Sequence, residues 1–270
     1  MEEICRYFGK KGLIETIKTM SLRYSKVKRL NDPFDCFPPL MLEENFNATQ
    51  NNSNITPQKK IYNYYGLQEH ILSFTTLPKM ILMWGHYTDK YQGGVIVFNN
   101  TLQHFKLLRK IEYKEDSYVL TNDMFNIISD NTEHKVKNRK AAIKAFGNLF
   151  STKQKTWSYE KEYRLLACKS KDGIYPEDLK TVGNYLYLDI NPCDIKAICV
   201  GYRMSERNLA NFVELCKSKS INTNCIYRVT PSKISYELDM TPYSVFIKSA
   251  HKDFPNKRKG GIYGNNKTAK

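Results

Sequence analysis

Eight residues near the middle of this 270-residue chain, Trp157-Ser158-Tyr159-Glu160-Lys161-Glu162-Tyr163-Arg164, hold two carboxylates, a guanidinium and three aromatic rings. If Glu160 onward is extended, the two-residue period puts Glu160, Glu162 and Arg164 on one face. Adjacent acids raise each other's pKa and a nearby cation lowers it, so the cluster is suited to holding a proton or steadying a developing positive charge. The plain alternative is an edge strand whose Glu and Arg residues form weak surface pairs.

Composition narrows the field. Apolar residues make up 41% of the chain and aromatics 13%, which fits a folded globular protein rather than a disordered segment. No apolar run has the length of a membrane span, and Met1-Glu2-Glu3 does not read as a secretory leader. Seven cysteines without a Cys-x-x-Cys pair read as reduced thiols, and the expected location is cytoplasmic. The five histidines show no helical pairing suited to zinc, so no metal is expected. The net charge of +15 favours anionic partners, among them nucleic acid and phosphorylated cofactors. It concentrates in 133–164 and in a basic tail, 248–270.

Strands are expected at 4–9, 22–27, 71–75, 95–98, 107–113, 163–168, 185–190, 195–200, 225–229 and 233–238. Helices are expected after the first strand, over 80–91, over much of 121–151, and after Ser205, where Leu209, Phe212, Val213 and Cys216 share one side. Asn31-Asp32-Pro33 signals a turn, and Gly93-Gly94 a helix stop. The strands outnumber the helices without strict alternation, which predicts one α+β domain over 1–247 with a mobile polar insertion at 43–60.

Four local patterns, taken in order, resemble a bacterial and phage family of unknown function, family 2971. They are Arg6-Tyr7; Leu22-Arg23-Tyr24-Ser25 with Asn31-Asp32-Pro33-Phe34-Asp35; Leu82-Met83-Trp84-Gly85-His86-Tyr87; and Lys155 to Arg164. More distantly, Arg6, Tyr24-Ser25 and Glu160-x-Glu162 resemble, in that order, the three conserved elements of ADP-ribosyltransferases. That resemblance implies a mostly antiparallel split-sheet core with peripheral helices, and NAD as substrate. It implies Arg6 on a dinucleotide phosphate, Tyr24 stacked on nicotinamide, and Ser25 orienting the catalytic Glu or the ribose. Glu162 would stabilise the oxocarbenium-like charge, and Glu160 would orient or deprotonate an acceptor nucleophile. The sequence Tyr24-Ser25-Lys26 departs from the usual Ser-Thr-Ser element.

Tyr7, Trp84, His86 and Tyr87 join the candidate cofactor pocket, and Trp157, Tyr159 and Arg164 the candidate acceptor face. Trp84 and Trp157 read first as core or rim packing and second as stacking platforms, and His86 as a structural histidine, a general base or a phosphate donor. Two alternatives stay open. Asp32, Asp35, Glu160 and Glu162 could gather Mg²⁺ in a metal-dependent nuclease, or the chain could be a non-catalytic basic module for nucleic acid or protein.

Overall fold

A computed structural model describes residues 3–35, 40–42, 69–99, 102–116, 118–120, 147–148, 150–168 and 178–246. The first strand, β1 (Ile4–Phe8), runs into helix α1 (Lys10–Thr19). Gly9 at the N-cap has no side chain to close the helix start. Instead Asp89 accepts a 2.7 Å bond from the Lys10 amide. Two short strands follow, β2 (Ser21–Arg23) and β3 (Ser25–Lys26), then β4 (Leu40–Leu42) and β5 (Glu69–Thr75). Helix α2 (Ile81–Tyr87) precedes β6 (Gly94–Phe98), all of whose residues are buried.

Next come β7 (Arg109–Lys110), β8 (Glu112–Lys114), β9 (Tyr118–Leu120), β10 (Thr152–Gln154) and β11 (Glu162–Cys168). The chain continues through β12 (Lys180–Val182), β13 (Tyr185–Asp189), β14 (Ile195–Gly201), helix α3 (Glu206–Ser218), β15 (Ile226–Pro231) and β16 (Leu238–Pro242).

A nine-stranded sheet forms the centre, in the order β16-β15-β14-β6-β1-β5-β11-β7, with β3 also on β5. Most of its pairings are antiparallel, but β14 and β15 run parallel, as the connection through α3 requires. The sheet is therefore mixed, within an α+β fold with peripheral helices. Both faces are covered. Ile4, Phe8, Ile96 and Ile198 point to α1 and α3, whereas Cys5, Val95, Val97 and Cys199 point to Trp84 of α2. A smaller sheet, β12-β13-β2, closes one flank, and two parallel pairs, β10-β8 and β4-β9, complete the strands.

The decisive irregularity lies between β1 and β5. They share a single register pair, Cys5 with Thr75, before β1 veers away and β3 takes over opposite Ile71 and His70. Among the described residues no strand pairs with the edge of β5 between those points, and the Arg6 guanidinium donates to the Ser73 carbonyl there at 2.7 Å. The sheet is thus split, and the split is bridged by a side chain.

Several local expectations need correction. Lys155–Glu160 is a 3₁₀ helix and Lys161 is left-handed, with φ 44°, so the strand begins only at Glu162. Residues 233–237 are bends that leave Ile234 and Tyr236 almost fully exposed. Among the described residues no strand pairs with them, and β16 starts at Leu238. The 22–27 stretch is broken into β2, β3 and a 3₁₀ turn. Helix α3 forms as expected, with Ser205 accepting from the Asn208 amide and Leu209, Phe212, Val213 and Cys216 buried. The insertion at 43–60, the tail at 248–270 and most of the helical stretch expected at 121–151 lie outside the described residues.

Candidate functional site

A cavity of about 170 Å³ opens at the split between β1 and β5. Arg6, Tyr7, Ser25, Tyr87, Glu160 and Glu162 all line it, although they lie as much as 156 residues apart. Strand alternation explains how. Arg6 shares its face of β1 with Ile4 and Phe8, on the α1 side. Glu162 pairs with Thr75, on the α2 side. In an unbroken sheet these side chains would point away from each other; the split lets both border one space. A wider concavity of about 810 Å³ adjoins it and shares Arg6, Tyr7 and Ser25 as walls.

Beneath the cavity lies a buried ionic cluster centred on Lys153. Its ammonium lies 2.6 Å from Glu160 Oε2, 3.0 Å from Glu162 Oε2 and 3.6 Å from Asp35 Oδ2. Arg164, with 0% of its surface exposed, grips Glu162 through two bonds, Nε to Oε1 at 2.7 Å and Nη2 to Oε2 at 3.0 Å. It also reaches Asp35 at 2.7 Å and donates to the Phe150 carbonyl at 2.9 Å. Tyr87 donates to Glu160 Oε1 at 2.5 Å, and Asn31 donates to the Tyr87 hydroxyl. The Glu162 amide donates to the Tyr113 hydroxyl at 2.8 Å.

Among the described residues the cluster brings three carboxylates to two cations, and Glu160 is the carboxylate whose pKa rises. Burial raises the Glu160 pKa against the opposing pull of Lys153, and the neighbouring Glu162 charge raises it further. Burial acts the same way on Glu162, but Arg164 and Lys153 outweigh it and hold that carboxyl at about 2. Burial works to lower the Lys153 pKa, yet the three carboxylates keep it raised and the ammonium charged. Burial brings Arg6 down to about 10, opposed by Glu162, so it remains a cation at neutral pH. Two carboxylates with opposite shifts are the pattern of a divided labour: one can exchange a proton while its neighbour stays charged.

Other expected site residues lie elsewhere. Tyr24 is fully buried in the main core and cannot stack on a ligand, because β2 and β3 turn its ring inward. Trp84 is likewise 0% exposed, with Nε1 bonded to the Pro78 carbonyl and its ring stacked on Tyr91. His86 is exposed and does not line the cavity. Arg164 is walled in by Asp35, Glu162 and Phe150, so it cannot meet an acceptor. Trp157 and Tyr159 are half-buried, their rings 6.1 Å apart, and Trp157 lies over the Lys153 ammonium at 4.9 Å.

The turn at Asn31-Asp32-Pro33 forms as expected, Asp32 accepting from the Phe34 amide, and it delivers Asn31 and Asp35 to the cavity wall. Asp35, Glu160 and Glu162 do converge, but on the ammonium of Lys153. Among the described residues no group of three or more His, Cys, Asp or Glu is arranged to hold a metal ion. Lys153 is the member that sequence reasoning missed. It sits inside the basic stretch 133–164, and its burial is what distinguishes it there.

The fold and site define an α+β protein with a buried acid–base cluster at a break in its sheet. Residues 83–165 match the family described as proteins of unknown function, DUF2971, so this stretch is a DUF2971 domain. It contains Tyr87, Lys153, Glu160, Glu162 and Arg164, but not Arg6 or Ser25, so it is narrower than the motif order suggested. No curated protein and no solved structure matches the chain.

Proposed function

We propose that the chain is an ADP-ribosyltransferase-like enzyme that cleaves NAD and passes ADP-ribose to a macromolecular acceptor. The observation carrying this reading is that Arg6, Ser25, Glu160 and Glu162 border one cavity despite their separation in sequence. Arg6 presents a planar cation to a phosphate. Glu162, ionised and fixed by Arg164 and Lys153, is a preorganised anion for the positive charge that develops on the ribose. In the reaction the bond from ribose C1′ to the nicotinamide nitrogen breaks, and its electron pair neutralises the pyridinium. The acceptor nucleophile forms the new bond to C1′, and its proton passes to Glu160, whose raised pKa suits it to that exchange. The wider concavity beside Arg6 gives room for the remainder of the dinucleotide.

Nicotinamide release from NAD, followed chromatographically in the presence of cell lysate, tests the proposal. Glu160→Gln should lower the rate by about 10²- to 10⁴-fold, the usual contribution of a general base. Arg6→Ala should raise KM for NAD more than it lowers kcat. No release by the wild-type protein, or equal release by wild type and Glu160→Gln, overturns the reading.

A further inference from the structure

The outward face of the β12-β13-β2 sheet has a composition that packing does not account for. Along β13, Leu186 and Leu188 are buried, so Tyr185 and Tyr187 stand together on the other side, each half-exposed. Register places Arg23 and Lys180 on either side of Tyr187. Around the Tyr185 ring centroid lie the Arg23 guanidinium at 5.1 Å, the Lys26 ammonium at 5.4 Å and the Arg29 guanidinium at 5.5 Å. Arg29 also donates to the Tyr185 hydroxyl at 2.6 Å. Among the described residues, none of these three cations has a carboxylate partner; the ion pairs lie elsewhere.

Three like charges drawn to one ring repel each other. Each contact with an exposed ring returns only about 0.5–1 kcal/mol. Such a cluster is stabilised by an incoming anion, and the ring fixes where the cations wait for it. Two adjacent outward tyrosines add flat apolar faces that an isolated phosphate would not use.

We propose that this face binds single-stranded nucleic acid. Arg23, Lys26 and Arg29 take the phosphodiester backbone, and unpaired bases stack on Tyr185 and Tyr187. A duplex keeps its base faces hidden and can meet only the cations. An acidic protein surface likewise has no use for the paired rings. The positive charge of the whole chain steers such a polyanion in. Arg23 and Tyr187 also wall the wider concavity that shares Arg6 and Ser25 with the cavity, so a strand held here runs past the site. Binding does not rest on the NAD reading; where that reading holds, it names the acceptor class.

Fluorescence anisotropy of the full chain without NAD tests this, using labelled single-stranded DNA and RNA about twenty nucleotides long, from about 50 to 200 mM salt. The matching duplex and polyglutamate serve as competitors. Single strands should bind more tightly than duplex, and polyglutamate should compete poorly. Replacing Arg23, Lys26 and Arg29 together by Gln should lower the slope of log affinity against log salt by about 2, at roughly 0.7 for each phosphate no longer neutralised. Tyr185→Ala should weaken binding about 5- to 150-fold through loss of stacking, and Tyr185→Phe should retain most of it. Melting temperatures like that of wild type establish that the variants fold. An unchanged affinity and slope in the triple variant, or competition by duplex or polyglutamate as strong as by single strands, overturns the proposal.

Discussion

Removing the Lys153 ammonium is the sharpest perturbation of the buried cluster. Lys153→Met keeps the length of the side chain but removes the cation that touches Asp35, Glu160 and Glu162 together, leaving Arg164 on Asp35 and Glu162. Breaking a buried pair by deleting one partner costs about 3–5 kcal/mol, because a charge is left without compensation. For a chain of this size each kcal/mol moves Tm by about 2–4 °C, so a fall of roughly 6–20 °C is expected. Calorimetry at neutral pH measures it. The loss should shrink in mildly acid solution, where a carboxylate released from Lys153 can take up a proton at less cost. It should also shrink in the double variant Lys153→Met with Glu160→Gln, which removes one negative charge along with the positive one. A Tm within a degree or two of wild type, or strictly additive single and double variants, would refute the idea that these charges are buried and mutually dependent.

The same cluster predicts acid sensitivity. The folded-state pKa of Glu162, about 2, lies below its ordinary 4.5, so its stabilisation is present above pH 4.5 and is lost as pH falls toward 2. This is worth up to about 3 kcal/mol, partly offset by Glu160, whose shift runs the other way; urea unfolding across that range reads it. Because Glu160 must be ionised to accept a proton, kcat for NAD cleavage should rise with pH through a pKa above the usual carboxylate range, and Glu160→Gln should flatten the profile. Away from the site, a Cβ on Gly93 would fall 2.0 Å from the Phe8 carbonyl oxygen, so Gly93→Ala should cost about 1–3 kcal/mol by forcing the backbone of β1 aside, measurable by denaturant unfolding.

How far the sequence discloses this molecule differs by element. Helix α3 was legible from a capping serine and a four-residue apolar stripe, because both signals are local. Lys233–Leu238 misled, since β propensity says nothing about whether a partner strand is present. At the site, Arg6, Ser25, Glu160 and Glu162 are the residues to which the ADP-ribosyltransferase resemblance points, and all four border one cavity. Tyr24, Trp84 and Arg164 stood beside them in the motifs but are buried, a matter of strand phase and side-chain packing that order alone does not convey. The role of Lys153 depends on two backbone events: the turn that brings in Asp35 is signalled by Asn31-Asp32-Pro33, but the left-handed Lys161 has no local residue signature.

The central claim is tested most directly by a structure of the Glu160→Gln protein with an NAD analogue whose glycosidic bond cannot be cleaved. The account predicts the nicotinamide ribose in the split between β1 and β5, bordered by Arg6, Ser25 and Glu162, with the pyrophosphate on the Arg6 side. An analogue bound at another surface, or a split left unchanged at saturating analogue, would contradict it.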